Sequence, residues 1–312
     1  MNVLLAGEES GGIQTLRALA QRSHRIVGVL ALPETKGNGV ASLASVAEKL
    51  GYPTWAAQLV RDPTFAETVR SRQVDILLNV YSLFFINSEV ARAPRYGSFN
   101  LHPGPLPRYA GLNPISWALY PGERTHGVTL HKIEPGIDTG AIAYQALFDI
   151  QEHDTALSLS IRCVQKGLEL IVQFLEAAAK GPDSIPLVPQ DLSQREYFGR
   201  EIPENGWLSW SRPAKQILNF VRACDYLPFR SAWGHPRTRL RDQEVAIAKA
   251  CSTRRACHEP PGTVSMSSDS EIEVACADEW VRIDRVLVEG TFVAPAQILK
   301  TGDYLQDARN RV

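Results

Sequence analysis

No apolar run in this chain approaches the ~20 residues that a membrane-spanning helix needs, which argues against a membrane partner. Its opening, MNVLLAGEESGG, has neither a basic segment nor a long apolar core, so it reads as a first strand rather than a secretory signal. An excess of one charge is missing too. The 33 Lys and Arg against 34 Asp and Glu leave a net charge of -1, which offers no electrostatic case for nucleic acid or a membrane surface. Cysteine is scarce and badly spaced for pairing. Cys163, Cys224, Cys251, Cys257 and Cys276 are odd in number and include no C-x-x-C, so they read as reduced thiols of a cytoplasmic protein. Metal spacing is absent as well. His102, His126, His131 and His153 share a region, but no H-x-x-x-H occurs, and His126 and His131, five apart on a strand, face opposite sides. Internal repeats and low-complexity tracts are lacking.

What is present is a chain of 312 residues, 44% hydrophobic, large enough for a substantial core and for about two domains. Apolar runs NVLLAG, HRIVGVLAL, PTWAA, DILLNVYS and GSFNLH alternate with helical stretches such as VASLASVAEKLG and PTFAETVRSRQ. That alternation predicts a Rossmann-like, mostly parallel sheet with helices on both faces. GVTLHKI and GAIAYQALFDI add two strands, and a long amphipathic helix then runs from Asp154, its N-cap, to Gly181. The expected division is a catalytic domain at 1–180, a proline-rich linker at 181–206 and a small OB-like β-barrel at 207–312, where short alternating runs dominate.

Two stretches invite a chemical reading. AGEESGGIQ is a glycine-bearing strand-to-helix turn, with Glu34 where a ribose-binding acid would stand. Its glycines, at 7, 11 and 12, miss the G-x-G-x-x-G order, and Glu8 and Glu9 would repel a pyrophosphate, so an ordinary turn is expected. SFNLHPGPLPRYAGLNPISW is different. Asn100 and His102 are two apart on a strand and share a face. They sit at the carboxyl end of a parallel strand, where open α/β sheets bind ligands. The prolines after them fix φ and remove donors, so a stiff loop follows. Downstream, HKIEPGIDTGAI sets Asp138 on a glycine-bounded loop. An Asn amide, a His and an Asp brought together suit a reaction with a tetrahedral oxyanion: two groups donate to it and the acid tunes the imidazole. A structural turn that happens to contain a histidine is the competing reading.

The succession NLHPGPLPRYAGLNP, WALYPGE, HGVTLH, IDTGAI and a long helix resembles the formyltransferase family along essentially the whole chain. YFGREIPENGWLSW and RPAKQILNFVRAC resemble that family's entry into its C-terminal domain. The resemblance implies transfer of a formyl group from 10-formyltetrahydrofolate to an amine, without a metal. It implies that Asn100, protonated His102 and Asp138 are catalytic. It also implies a folate slot at Phe84, Phe85, Ile86 and Leu112, walled by Glu134, Pro135, Gly136, Ile137 and Asp138. Arg108, Tyr109 and Asn113 are then placed to meet the acceptor. Three departures stand out: Gly104 and Pro105 replace the Ser-Leu of the family's S-L-L-P, and Leu112 replaces an Arg common among its members. His126 replaces a Thr, and nothing in the residue pattern explains it.

The expected acceptor is a small amine, an aminosugar nucleotide or an amino-acid-derived intermediate. Members that formylate methionyl-tRNA carry a long basic insertion after the second strand. Here LPETKGNGVASLASVAEKLG is short, and Lys36 and Lys49 are balanced by Glu34 and Glu48. Phosphate contacts dominate RNA affinity, so a tRNA acceptor is the second choice despite RTRLR and STRRAC. A 10-formyltetrahydrofolate hydrolase and a catalytically silent folate-binding protein remain open. The oligomeric state is not legible in the residues.

Overall fold

A computed structural model describes residues 1–33, 41–82, 84–266 and 271–307. Glu34 and Lys36 lie outside the described residues. The chain forms two compact units. The first comprises Met1–Gly111, His126–Phe148 and Ile161–Tyr197, and the second Leu112–Thr125, Asp149–Ser160 and Phe198–Val312.

In the first unit, β1 (Asn2–Gly7), β2 (Arg25–Ala31), β3 (Thr54–Ala56), β4 (Ile76–Val80), β5 (Gly97–His102), β7 (Thr125–Lys132) and β8 (Ile142–Asp149) form one sheet in the order β3-β2-β1-β4-β5-β7-β8. The two-residue strands β6 (Ala110–Gly111) and β9 (Tyr197–Phe198) stand outside it. Strands β1 to β5 pair parallel, and β7 runs antiparallel to β5. Continuous apolar runs such as NVLLAG suit this arrangement because both faces are covered. Val3 and Leu5 of β1 join one core with Leu78, Phe99, Leu130 and Phe174. Leu4 and Ala6 turn to a second core with Leu77, Phe65 and Val90.

The helices follow from local chemistry. α1 (Glu9–Ala20) starts in the first βα turn, and its glycines serve close packing. A Cβ on Gly11 would lie 2.4 Å from the Tyr81 ring, and one on Gly12 would lie 3.1 Å from the Gly7 carbonyl carbon. The turn therefore needs those glycines for packing. α2 (Leu43–Lys49) has a reciprocal cap in which Ser42 and Ser45 each accept the other's backbone N–H. α3 (Phe65–Ser71) and α4 (Ser88–Arg92) lie on the second core, and α6 (Ala156–Ala178) contributes Leu170, Ile171, Phe174 and Leu175 to the first.

The second unit holds α5 (Pro114–Leu119) and α7 (Ala214–Ala223). Strands β10 (Arg237–Leu240), β11 (Gln243–Ala256), β12 (Val264–Met266), β13 (Ile272–Ala275), β14 (Glu279–Val288) and β16 (Leu305–Gln306) are ordered β12-β13-β14-β11-β10-β16, and β15 (Thr291–Val293) pairs with β14. The pairings between these strands are antiparallel, and the β11–β14 ladder shifts register three times. Bulges of that kind bend a long strand and raise its twist, and the sheet is a curled half-barrel. Asp278 accepts the backbone N–H of Ala214 at 2.8 Å, completing the start of α7. Among the described residues no helix is long and apolar enough to cross a membrane.

Candidate active site

Register places the site. Asn79 of β4 pairs with Asn100 of β5, which pairs with His131 of β7. The flanking residues Leu78, Phe99, Leu101 and Leu130 turn to the first core, so this polar row occupies the opposite face. His102 and Thr129 form the next register pair on the same face. Three polar residues on neighbouring strands therefore lie in a line at the carboxyl ends of β4 and β5.

Hydrogen bonds join the line. Asn79 donates from Nδ2 to Asn100 Oδ1 at 2.8 Å, and Asn100 donates from Nδ2 to His131 Nε2 at 3.1 Å. His131 Nδ1 lies 2.9 Å from the Lys132 carbonyl, which can only accept, so Nδ1 carries the proton. Nε2 is then the acceptor that Asn100 requires. Among the described residues one Asn100 amide hydrogen stays uncommitted.

Asp138 gathers the two imidazoles. His102 Nδ1 is 3.5 Å from Oδ2, and His131 Nε2 is 3.4 Å from Oδ1. The backbone N–H of Gly111 donates to Oδ2 at 2.8 Å. Burial opposes ionisation of Asp138, but the His102 ring, charged at the acid pH where the carboxyl titrates, the contact with His131 and that N–H outweigh it and hold the carboxyl below the usual carboxylate range. The Asp138 side chain is 12% exposed, and its backbone has a φ of 56°, a sparsely populated region that the surrounding loop sustains. Gln190 Nε2 donates to the carbonyls of Asp138 and Gly140, and Arg195 donates to the Ile137 carbonyl at 3.0 Å.

His102 is almost fully enclosed. Its Nε2 lies 2.7 Å from the Tyr109 carbonyl and must donate to it. Nδ1, facing Asp138, is thus the nitrogen that is bare when the ring is neutral. Burial lowers the His102 pKa below 6.5, with the Asp138 carboxylate and the Tyr109 carbonyl opposing. The resting ring is therefore neutral near pH 7 rather than protonated as the resemblance implied, because burial disfavours its charge.

The proline loop is held against this ring. Thr129 Oγ1 donates to the Gly104 carbonyl at 2.7 Å and accepts from Leu106 N–H and Gln145 Nε2. His126 Nε2 donates to the Pro103 carbonyl at 2.9 Å, which gives a physical reason for histidine at that position. A Cβ on Gly104 would lie 2.8 Å from His102 Nε2 and 3.1 Å from the Tyr109 carbonyl oxygen. A residue with a side chain therefore cannot occupy position 104 while the ring stays where it is.

The remaining expected site residues fall as follows. Phe84 is half-buried, Phe85 is 67% exposed and Ile86 is buried. Glu134, Pro135, Gly136 and Ile137 form an exposed loop ahead of Asp138. Arg108 pairs with Glu196 at 3.0 Å and lies over the Tyr109 ring. Tyr109 itself is buried, edge-on to His126, and serves the site through its carbonyl. Leu112 and Asn113 belong to the second unit. There Leu112 is 43% exposed, and Asn113 takes a left-handed φ of 54° just before α5. Among the described residues no group of three His, Cys, Asp or Glu side chains could hold a metal ion.

The formyl transfer family profile ("Formyl transferase") matches residues 1–175, and its C-terminal domain profile matches residues 202–302. This chain belongs to the formyl transferase family. Solved structures agree with that fold. An N-formyltransferase from Helicobacter canadensis, in complex with folinic acid and dTDP-3-aminofucose, is 19% identical with a TM-score of 0.68, over 90% of this chain and 98% of that one. HypX from Aquifex aeolicus, in complex with tetrahydrofolic acid, is 18% identical with a TM-score of 0.68, over 95% of this chain and 46% of that one. Methionyl-tRNA formyltransferase from Clostridium thermocellum is 16% identical with a TM-score of 0.58, over 81% of this chain and 94% of that one. This formyl transferase chain thus spans about half the length of the HypX structures it matches.

Sequence reasoning missed two members of the polar row. In the sequence His131 stands out only as a metal-ligand type, and Asn79 only as one residue of a buried strand. For Asn79 the available signal was a lone amide inside the apolar run ILLNV.

Proposed function

We propose that this formyl transferase chain moves a formyl group from 10-formyltetrahydrofolate to the amine of a small molecule, an aminosugar nucleotide or an amino-acid-derived intermediate. One observation carries the reading. Among the described residues an Asn100 N–H is uncommitted near the carboxyl end of β5, in the same hydrogen-bonded cluster as an imidazole backed by a carboxylate.

The residues present fit a folate. Phe85 and Ile137, 67% and 42% exposed, offer apolar surface outside the core, suited to a flat heterocycle. Exposed backbone from Glu134 to Ile137 supplies polar groups beside it. The folate, when bound, supplies the formyl group on N10. Asn100 donates its N–H to the formyl oxygen as negative charge builds there. Neutral His102 takes the proton of the attacking amine at Nδ1 and returns it to the departing nitrogen, so the imidazolium forms during turnover. Asp138 stabilises that imidazolium, and Tyr109 fixes the ring by accepting from Nε2. Arg108 is proposed to contact the acceptor. The five cysteines, none in a disulfide, suit a reducing compartment, and we infer a cytoplasmic location.

A net charge of -1 favours a small amine over tRNA as acceptor. The test is to incubate the protein with 10-formyltetrahydrofolate and a panel of aminosugar nucleotides and amino acids, following free tetrahydrofolate and formylated product. Amine-dependent release is expected. Release without amine indicates the hydrolase, formylation of charged initiator tRNA alone overturns the small-amine assignment, and no release with any acceptor contradicts the reading.

A further inference from the structure

We propose that Asn79 is a positioning residue that dictates which end of the Asn100 amide faces the formyl oxygen. The inference rests on the formyl-transfer reading above. An asparagine amide has nearly the same shape in either orientation, and only its hydrogen-bond partners choose between them. Asn100 has one partner on each neighbouring strand. On the β7 side, the neutral His131 ring, its Nδ1–H committed to the Lys132 carbonyl, presents a bare Nε2 to Asn100, with Asp138 Oδ1 3.4 Å from the same nitrogen. On the β4 side, Asn79 presents an N–H to Oδ1 at 2.8 Å. Both demands agree, and together they turn Nδ2 to the donating position.

Packing does not account for Asn79. Ile76, Leu77, Leu78 and Val80 of the same strand are all buried and apolar, and Asn79 is 8% exposed among them. Its own Oδ1 is buried with no hydrogen-bond partner among the described residues. A half-satisfied buried amide is poorer structural material than a leucine of similar volume. The side-chain bond it makes among the described residues is the one that orients Asn100.

Two substitutions separate orientation from packing. Asn79→Leu removes the donor and keeps the bulk. Asn79→Asp keeps the shape, but its ionised carboxylate can only accept, so it draws Nδ2 of Asn100 toward β4 and reverses the amide. Once protonated, the same carboxyl can donate to Oδ1 again. Burial raises such a carboxyl, so the change is sought across roughly pH 5 to 8.5. The titratable groups His102, His131 and Asp138 face the same row in the parent protein too, so the variant-to-parent ratio is read at each pH.

Two readouts are made. One is kcat and KM with 10-formyltetrahydrofolate and an active amine. The other is the Asn100 side-chain amide resonance in the protein without folate, identified by its loss in Asn100→Asp. Asn79→Leu is expected to lower kcat about 10- to 100-fold at every pH with little change in KM, the scale of a misplaced catalytic group. Asn79→Asp is expected to fall further at high pH and to recover relative to the parent as pH drops, its Asn100 resonance moving with the same midpoint. Equal, pH-independent losses in both variants, with an Asn100 resonance that does not respond to pH, overturn the proposal. If the parent transfers no formyl group, the formyl-transfer reading fails. The resonance alone then decides the orientation claim: a pH-linked shift in Asn79→Asp supports it, and a fixed resonance overturns it.

Discussion

Replacing Gly104 with alanine isolates the contact between the proline loop and His102. The added Cβ would stand 2.8 Å from Nε2, 3.0 Å from Cδ2 and 3.1 Å from the Tyr109 carbonyl oxygen. Ordinary carbon contacts begin at about 3.5 Å, so the ring or the loop must move by roughly half an ångström or more. Neither is loose. The ring is held by Tyr109 and Asp138, and the loop carbonyl at 104 is held by Thr129. Overpacking of this kind costs about 1–3 kcal/mol, and a catalytic group displaced on the ångström scale loses about 100-fold in rate. Gly104 lies outside the left-handed φ region, so the effect is steric. Gly51→Ala is the control. Its φ of 78° strains the backbone while no atom lies within 4 Å of the new Cβ, so it should lower stability and leave kcat unchanged. Both variants are compared by chemical denaturation and by formyl transfer. Gly104→Ala with parent-like stability and kcat would refute the steric reasoning.

The other expectations are of the same kind. Neutral His102 as proton acceptor gives kcat/KM an acid limb below pH 6.5: activity is present above the His102 pKa and lost as pH falls and the bare Nδ1 takes a proton, measured with an acceptor whose amine titrates well away from that range. Asp138→Asn should remove most activity. Because the Asp138 pKa is depressed in the folded state, its carboxylate adds stability above the unfolded pKa of about 3.9, lost as pH falls toward the folded value. The deficit of Asp138→Asn by denaturant titration should therefore be largest near neutrality and shrink in acid. Thr129→Val keeps the shape but deletes three hydrogen bonds to the proline loop and Gln145, and at about 1 kcal/mol each should destabilise the chain by roughly 2–4 kcal/mol.

The parts of this site that sequence could reveal are those set by short-range rules. Asn100 and His102 share a face because side chains alternate along a strand, and the prolines after them announce a rigid loop. Alternating strands and helices likewise disclosed the mostly parallel sheet. What stayed hidden depends on register between distant segments. His131 meets Asn100 only because β7 runs antiparallel to β5, and Asn79 meets it only because β4 pairs in a particular register. Backbone contributions were invisible for another reason: the Tyr109 carbonyl and the Gly111 N–H carry no side-chain signature. Gly104 was noticed as a departure, but its meaning lay in a ring 2.8 Å away.

The most direct test of the account is amine-dependent release of tetrahydrofolate from 10-formyltetrahydrofolate by the parent protein and by His102→Ala. The account predicts turnover in the parent that depends on a small amine, and a fall of about 100-fold or more in His102→Ala, the lower range for loss of a general base. Full turnover by His102→Ala would contradict it.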